Sequence, residues 1–518
     1  MTKRWHALFE ILRFPLEVIF FAYILLGIGN LIVNPVFGIS AYSDYDALIL
    51  IGEILQRTGS FLIVNFPLLF LIRLVARRSG SSVTIMSAFA GFIVFNVTTM
   101  FVADPDLTST AYSSILGLSI TRTSVSSLTG GTHYPLQTGM IGVIVIGIIT
   151  MFSFSRSRKK REYGFFSFVT REETCVVLTV FLSLLAGVGF SYLWPYVIKA
   201  VNKIVSYIAK DTNDPVNLIL YGILDRLFGV MNLGTLIRQP FWYTVSGGSW
   251  VSVAGANVTG DVNVWTSQVE ANAVSGLSGR FITPYYILNL FAMPGMIWAM
   301  HSLNTDKKEK RRTRFLCITA TIVSLLSGCL MPMELLLLIL CPLLFCMHLG
   351  VTGILYGVLL SLNISLGFRS TETSTITALP GTLPEFLSYL NVPGLRGTLI
   401  RMLIIGVIVL FLYYLMTRFY FKNLAVGFLD VRKRESLVED TLKALGGTEN
   451  IRSTDCSFSE LKVSLYEPDQ IDVEALRKLG SFRVYESKDS YHLCFENASV
   501  MIRDGIRNAM RESIRDTQ

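Results

Sequence analysis

Between residues 315 and 349 the chain reads FLCITATIVSLLSGCLMPMELLLLILCPLLFCMHL, an apolar run with a single carboxylate, Glu334, near its middle. About 20 helical residues cross a bilayer core, so the run is too long for one straight span and must break inside the membrane. The break is written at Ser327-Gly328-Cys329-Leu330-Met331-Pro332. Glycine weakens a helix there, and Pro332 removes a backbone donor and clashes with the preceding turn. Unwound backbone at membrane depth is tolerated only where protein or a water-filled cavity satisfies it, and interrupted helices of this kind build midplane substrate sites. A buried carboxylate costs several kcal/mol unless paired, so Glu334 marks a candidate substrate-binding residue. The plainer alternatives are a side chain reaching the interface from a helix end and a protonated packing residue.

The rest of the chain fits a membrane protein. Of 518 residues 52% are hydrophobic and only 16% charged, against about 25% charged in soluble domains, and the mean hydropathy is +0.53. The net charge of +8 does not point to nucleic acid, because the basic residues cluster beside apolar runs: Arg73, Arg77 and Arg78, then 156–161, then 307–314. That is the pattern of cytoplasmic loops. Seven cysteines form no CxxC pair, and neither a disulfide framework nor metal-ligand spacing is present. The basic start has no short apolar stretch followed by a small-residue cleavage site, so it reads as cytoplasmic and retained.

Spans are expected at 16–33, 61–76, 83–103, 138–154, 174–198, 281–300, the broken run, 351–367 and 399–419, about ten crossings in all with both termini inside. An amphipathic piece precedes the second span, and the fifth is expected to end at Trp194-Pro195-Tyr196. Residues 199–280 read less plainly: an apolar stretch, 216–237, is interrupted by Asp225 and Arg226, and a Gly/Ser/Thr/Asn-rich part follows with Trp242, Trp250 and Trp265, suited to re-entrant structure or an external loop. Arg226 is expected to pair with Asp225 or line the cavity, and Trp242 or Trp250 to stack on a ligand or anchor at the interface. From 422 on charges become frequent, and 434–518, after a linker at 423–433, suffice for a small α+β lobe. The fold class is thus a polytopic α-helical membrane protein with re-entrant segments and a small C-terminal α+β cytoplasmic domain.

The order of parts resembles a membrane subunit of the bacterial phosphotransferase system for sugars, glucose/maltose-type superfamily, with its C domain (1–422) followed by a B domain. FPLEVIFFAYILLGIGN, QTGMIGVIVIGII, LDRLFGVMNLG, FAMPGMIWAM and LYYLMTRFYFKNL carry the resemblance in the membrane part; LKALGGTENIRSTDCSFSELKVSLYEPDQIDVEALRKLGSFRV carries it in the tail. It implies a sugar ligand, a multi-pass place in the bacterial cytoplasmic membrane among lipid, a soluble phosphotransfer partner of the A type, a homodimer and no cofactor. In the family a B-domain cysteine takes phosphoryl from that partner and passes it to the incoming sugar.

Departures concentrate in that chemistry. On the motif Asp-Ala-Cys-x-Thr-Arg-Leu-Arg, Asp455 is kept, Cys456 falls on the alanine, Ser457 on the nucleophile, Ser459 on the threonine and Glu460 on the first arginine. A serine without an adjacent base is a weak nucleophile, and Glu460 puts negative charge where a phosphoryl group needs positive. The family's pocket histidines fall on Gly234 and Thr235, and the first carboxylate of its Thr-Glu-Pro-Ile-Glu-Phe signature on Met331, while the second is kept as Glu334. His301 and His348 lie at expected span ends and earn no role from position. Three readings follow: a phosphotransferase permease using Glu334, Arg226 and Cys456 or Ser457; a derived member that transports or senses a sugar without phosphorylating it; and a tail that docks a cytoplasmic regulator.

Overall fold

The computed structural model describes residues 2–34, 36–39, 46–103, 115–122, 131–158, 170–253, 255–274, 276–305, 307–328, 330–369, 380–424, 431–457, 460–481, 483–487, 490–495 and 498–516. Helices α1 (Thr2–Val33), α2 (Asp46–Val64), α3 (Phe66–Ser79), α4 (Ser82–Val102), α5 (Gly139–Arg158) and α6 (Arg171–Ala209) form the first half of the membrane part. Then come α7 (Pro215–Val230), α8 (Thr235–Tyr243), a hairpin (Ser249–Val251 with Asn257–Thr259), α9 (Asp261–Glu270), α10 (Thr283–Ile287), α11 (Met293–Leu303), α12 (Lys307–Ser327), α13 (Met331–Leu340), α14 (Pro342–Ser361), α15 (Leu383–Ser388) and α16 (Arg396–Phe419). Among the described residues seven helices are long and apolar enough to cross a membrane. The other expected crossings fall on shorter or interrupted helices: α3, α10–α11 joined by a π-helical turn at Leu288–Ala292, the apolar part of α12 and α13.

Several boundaries differ from the sequence expectation. The second span splits: α2 runs through the amphipathic piece to Val64, and Pro67, at the start of α3, restarts the helix after Asn65. Pro195 does not end α6, which continues to Ala209. The run 315–349 breaks twice, at Gly328 as expected and again at Cys341, where Pro342 opens α14, so the expected span 351–367 is helical only to Ser361, as the second half of a helix begun earlier.

Without a hydrophobic drive between helices in lipid, close packing relies on small residues, and they recur here. Thr179, Ser183, Gly187 and Ser191 make the buried face of α6. A Cβ at Gly187 would lie 2.7 Å from Thr98 Cβ of α4, and one at Gly91 of α4 2.7 Å from Ser183 Oγ. The opposite face of α6 exposes Val177, Phe181, Leu185 and Leu193, as lipid contact requires. Helix α7 packs on α14 by the same device: the Tyr356 ring lies against Gly222, and Ile219 and Ile223 against Gly353 and Gly357.

The tail folds as α17 (Val431–Ala444), strands β1 (Ile451–Cys456) and β2 (Leu461–Leu465), α18 (Val473–Lys478), strands β3 (Val484–Ser487) and β4 (Ser490–Leu493), and α19 (Ser499–Asp516). The antiparallel sheet has the order β1-β2-β4-β3. Strand β1 carries no alternation that marks it in the sequence; the sequence expectation of a strand over 458–465 is met from Leu461 on, and residues 458 and 459 lie outside the described residues.

Candidate functional site

Helix α7 begins at a cap, Asp214, whose side chain accepts from the Val216 amide, with Pro215 preset for the first turn. Three turns on, Asp225 and Arg226 are both buried. Arg226 donates to Asp225 Oδ2 through Nε (3.1 Å) and Nη2 (2.5 Å), and its Nη1 donates to Glu334 Oε1 at 3.3 Å. Tyr285 donates to Asp225 Oδ2 at 2.7 Å, and Arg238 Nε to Asp225 Oδ1 at 2.5 Å. The Arg226 guanidinium lies 4.3 Å from the centre of the Tyr285 ring, a cation–π contact.

Glu334 approaches from the other side of the break. Gly328 takes φ +63°, a conformation that glycine adopts without cost, and α12 stops there. Helix α13 restarts with Pro332 in its first turn, and the Glu334 amide donates to Leu330 O at 3.0 Å. The carboxylate therefore sits in the first turn of a new helix, where the dipole favours negative charge. It is 1% exposed. Its Oε1 is held by Arg226 and by His348 Nε2 at 3.2 Å, and His348 Nδ1 lies 2.8 Å from Tyr413 OH. The second oxygen, Oε2, accepts from none of the described residues, and Glu334 lines a cavity of ≈ 130 Å³. Space for about ten waters is the scale of one pyranose. Its other walls are Tyr23, Ile63, Gln137, the end of α7, the turn after it and the start of α8 (Gly229, Asn232, Gly234, Thr235, Arg238), Tyr285, and Gly328, Leu330 and Met331 at the break.

The structure thus brings Arg226 and Glu334 together and places Gly234, Thr235 and Met331 on the same cavity. Sequence reasoning missed His348, Arg238, Tyr285 and Tyr413. His348 falls in the middle of the final buried network because the second break, at Cys341, starts α14 early enough to carry it inward. Trp242 is buried, donates to Tyr221 OH at 3.0 Å and packs on Tyr285, and Trp265 donates to Tyr389 OH at 3.0 Å. None of the three tryptophans lines the cavity.

Cys456 and Ser457 lie on the lobe, outside this cavity. Cys456 ends β1 fully buried against the segment that joins α11 to α12: its amide donates to Thr305 Oγ1 at 2.9 Å, the Thr305 amide donates to Cys456 O at 2.8 Å, and its thiol points to Leu303 O at 3.6 Å. Burial pushes the thiol up from its ordinary range, against partial relief from Arg503. Ser457 closes a turn, its Oγ accepting from the Glu460 amide at 3.0 Å while its own amide donates to Glu460 O at 2.8 Å. The Glu460 carboxylate accepts from Tyr485 OH at 3.2 Å and from the Cys494 thiol at 3.5 Å, and burial with Glu460 pushes Cys494 up to about 12. Ser459 lies outside the described residues.

A broken apolar helix that faces a second, charge-bearing helix across a cavity, within a bundle of membrane-length helices, defines a polytopic membrane carrier. The family model for the phosphotransferase system, EIIC, matches residues 9–353, and the chain belongs to that family. The glucose-specific EIICBA component of the phosphotransferase system from Staphylococcus saprophyticus is 25% identical over 485 residues, 90% of this chain and 67% of that protein. The crystal structure of the transporter ChbC, the IIC component from the N,N'-diacetylchitobiose-specific phosphotransferase system, covers 80% of this chain and 93% of its own at 10% identity, with a TM-score of 0.32.

Proposed function

We propose that this sugar permease binds its ligand in the cavity beside the α12–α13 break, and that Glu334 Oε2 accepts from ligand hydroxyls while Arg226 and His348 fix the carboxylate through Oε1. The observation that carries the reading is this division of labour on a side chain that lines the cavity: one oxygen held by two buried partners, the other accepting from none of the described residues. Preorganised acceptors of this kind lose no reorganisation energy on binding, and a carboxylate can take two hydroxyl donors. The glucose-specific relative makes a hexose the first ligand to try.

The membrane part through 422 carries uptake in this reading, in a bacterial cytoplasmic membrane with both termini inside, as the basic residues Arg73, Arg77, Arg78, Arg156 and Arg158 favour. A homodimer is the assembly the family resemblance implies. The lobe from 434 on does not pass phosphoryl to the ligand while docked: Cys456 has its thiol against Leu303, and Ser457 is engaged in a turn in which its hydroxyl accepts from the Glu460 amide. The test uses membrane vesicles, labelled D-glucose, phosphoenolpyruvate and the general phosphotransfer proteins. Sugar accumulating inside unmodified, and lost in Glu334→Gln, supports the reading. Sugar phosphate whose formation needs Cys456 or Ser457 replaces it with a phosphotransferase.

A further inference from the structure

Arg238 has a slot made for it. The side chain is partly exposed and its Nε is tied to Asp225 Oδ1, so one edge of the guanidinium is fixed. A Cβ at Gly234 would lie 2.9 Å from Arg238 Cζ and 3.1 and 3.2 Å from its two Nη atoms; one at Gly229 would lie 2.8 Å from Nη2. No side chain fits at either position while the guanidinium is there. The guanidinium therefore lies against two glycines, Gly229 in the last turn of α7 and Gly234 just before α8, and Gly229, Gly234, Thr235 and Arg238 are all cavity wall. Nη1 and Nη2 make no hydrogen bond to any described residue. Unlike Glu334, which comes from α13 after the break, this donor pair comes from the first turn of α8, so the two groups belong to different elements of the wall.

We propose that Arg238 is the second residue that grips the ligand, donating from its Nη edge to a hydroxyl other than the one Glu334 accepts, and that the ligand is an uncharged polyol. The proposal rests on the reading of the cavity as a sugar site. A guanidinium is permanently protonated and offers donors in a fixed fork, so it selects acceptor oxygens at set spacing and takes no proton from them. Neutrality follows from the charges that meet here: the guanidiniums of Arg226 and Arg238 face the carboxylates of Asp225 and Glu334, and an added anion would stand uncompensated beside Glu334. Gly234 acts as a positioning residue, because a side chain there displaces the guanidinium.

The experiment measures equilibrium binding of D-glucose, its monodeoxy analogues and D-glucuronate to the purified full-length protein in nanodiscs. Arg238→Ala keeps Asp225 bonded to Arg226 and Tyr285, so the fold has its main pairing without it. Expected are a loss of roughly tenfold or more in glucose affinity for Arg238→Ala, a similar loss for Gly234→Ala, and a double variant no weaker than Arg238→Ala alone. One monodeoxy analogue binds the wild type weakly yet binds Arg238→Ala as well as glucose does, and a different analogue shows that pattern with Glu334→Gln. A purely structural Arg238 gives no such pairing: equal losses for every analogue in wild type and Arg238→Ala, an unchanged Gly234→Ala, or tighter binding of D-glucuronate than of glucose would overturn the proposal. Wild-type protein that ignores glucose, or glucose binding indifferent to Glu334→Ala, takes down the sugar-site reading itself and this inference with it.

Discussion

Asp225 takes hydrogen bonds from Arg226, Arg238 and Tyr285, and no other buried carboxylate among the described residues sits between two guanidiniums. Removing it leaves the guanidiniums of Arg226, which is buried, and Arg238, which is partly exposed, without the carboxylate they share. Breaking a buried pair from one side costs about 3–5 kcal/mol, so Asp225→Ala is expected to lower the midpoint of thermal unfolding in detergent far more than Arg238→Ala does. Equal or smaller loss in Asp225→Ala would mean that the cluster is solvated. The residues that sequence reasoning found, Arg226 and Glu334, were legible because each is a charge inside an apolar stretch, where burial must be compensated. Arg238 was not, since it lies in a polar stretch and its placement depends on glycines four and nine positions earlier. Nor was His348, whose depth follows from a break at Cys341 that a continuous apolar run conceals.

At the level of elements, the interruption after α12 rests on Gly328, whose φ of +63° disfavours any residue with a Cβ. Gly328→Ala is expected to destabilise the fold by about 1 kcal/mol and to weaken sugar binding further by shifting α13 and its Glu334. Unchanged affinity would show that α13 is positioned by its packing alone. The seam between α4 and α6 makes a second demand: Gly187→Leu collides with Thr98 and the Phe95 carbonyl and should lower folded yield, while Leu185→Ala, on the exposed face, should not. The long membrane helices were legible, because length and hydropathy decide them; α9, short and set in a polar stretch, was not. Helix ends were less legible. Pro195 leaves α6 unbroken, consistent with the tolerance of membrane helices for proline, and β1 escaped notice because a register shift between Ile451 and Ser453 spoils its alternation.

Across the whole molecule, lobe and membrane part meet at Cys456, one residue before Ser457, the position where family chemistry would place the nucleophile. Cys456 gives its backbone to Thr305 and its thiol to Leu303, so docking and thiol exposure exclude each other. Maleimide labelling of Cys456 in the folded protein is expected to be slow and to quicken in Thr305→Val, which loses the acceptor for the Cys456 amide; equal rates would place the thiol in solvent. Its dependence on pH has a definite sign. With both Cys456 and Cys494 raised by burial, the folded lobe holds its thiol protons above about pH 8.5, where unfolded thiols lose theirs. Stability from these groups is complete below that pH and falls as pH rises through the folded values. Alkaline titration of lobe unfolding should show this decline, and it should shrink in Cys494→Ala. The lobe's class was legible from its composition change at 422, but its docking was not, since nothing in the local sequence ties Cys456 to Thr305.

The central claim is that the carboxylate beside the helix break binds sugar independently of any relay in the lobe. Counterflow of labelled D-glucose in proteoliposomes of the purified protein, without phosphoenolpyruvate, tests it most directly. Exchange should persist in a Cys456→Ser, Ser457→Ala double variant and vanish in Glu334→Gln. Exchange that survives Glu334→Gln, or that disappears when Cys456 and Ser457 are replaced, would contradict it.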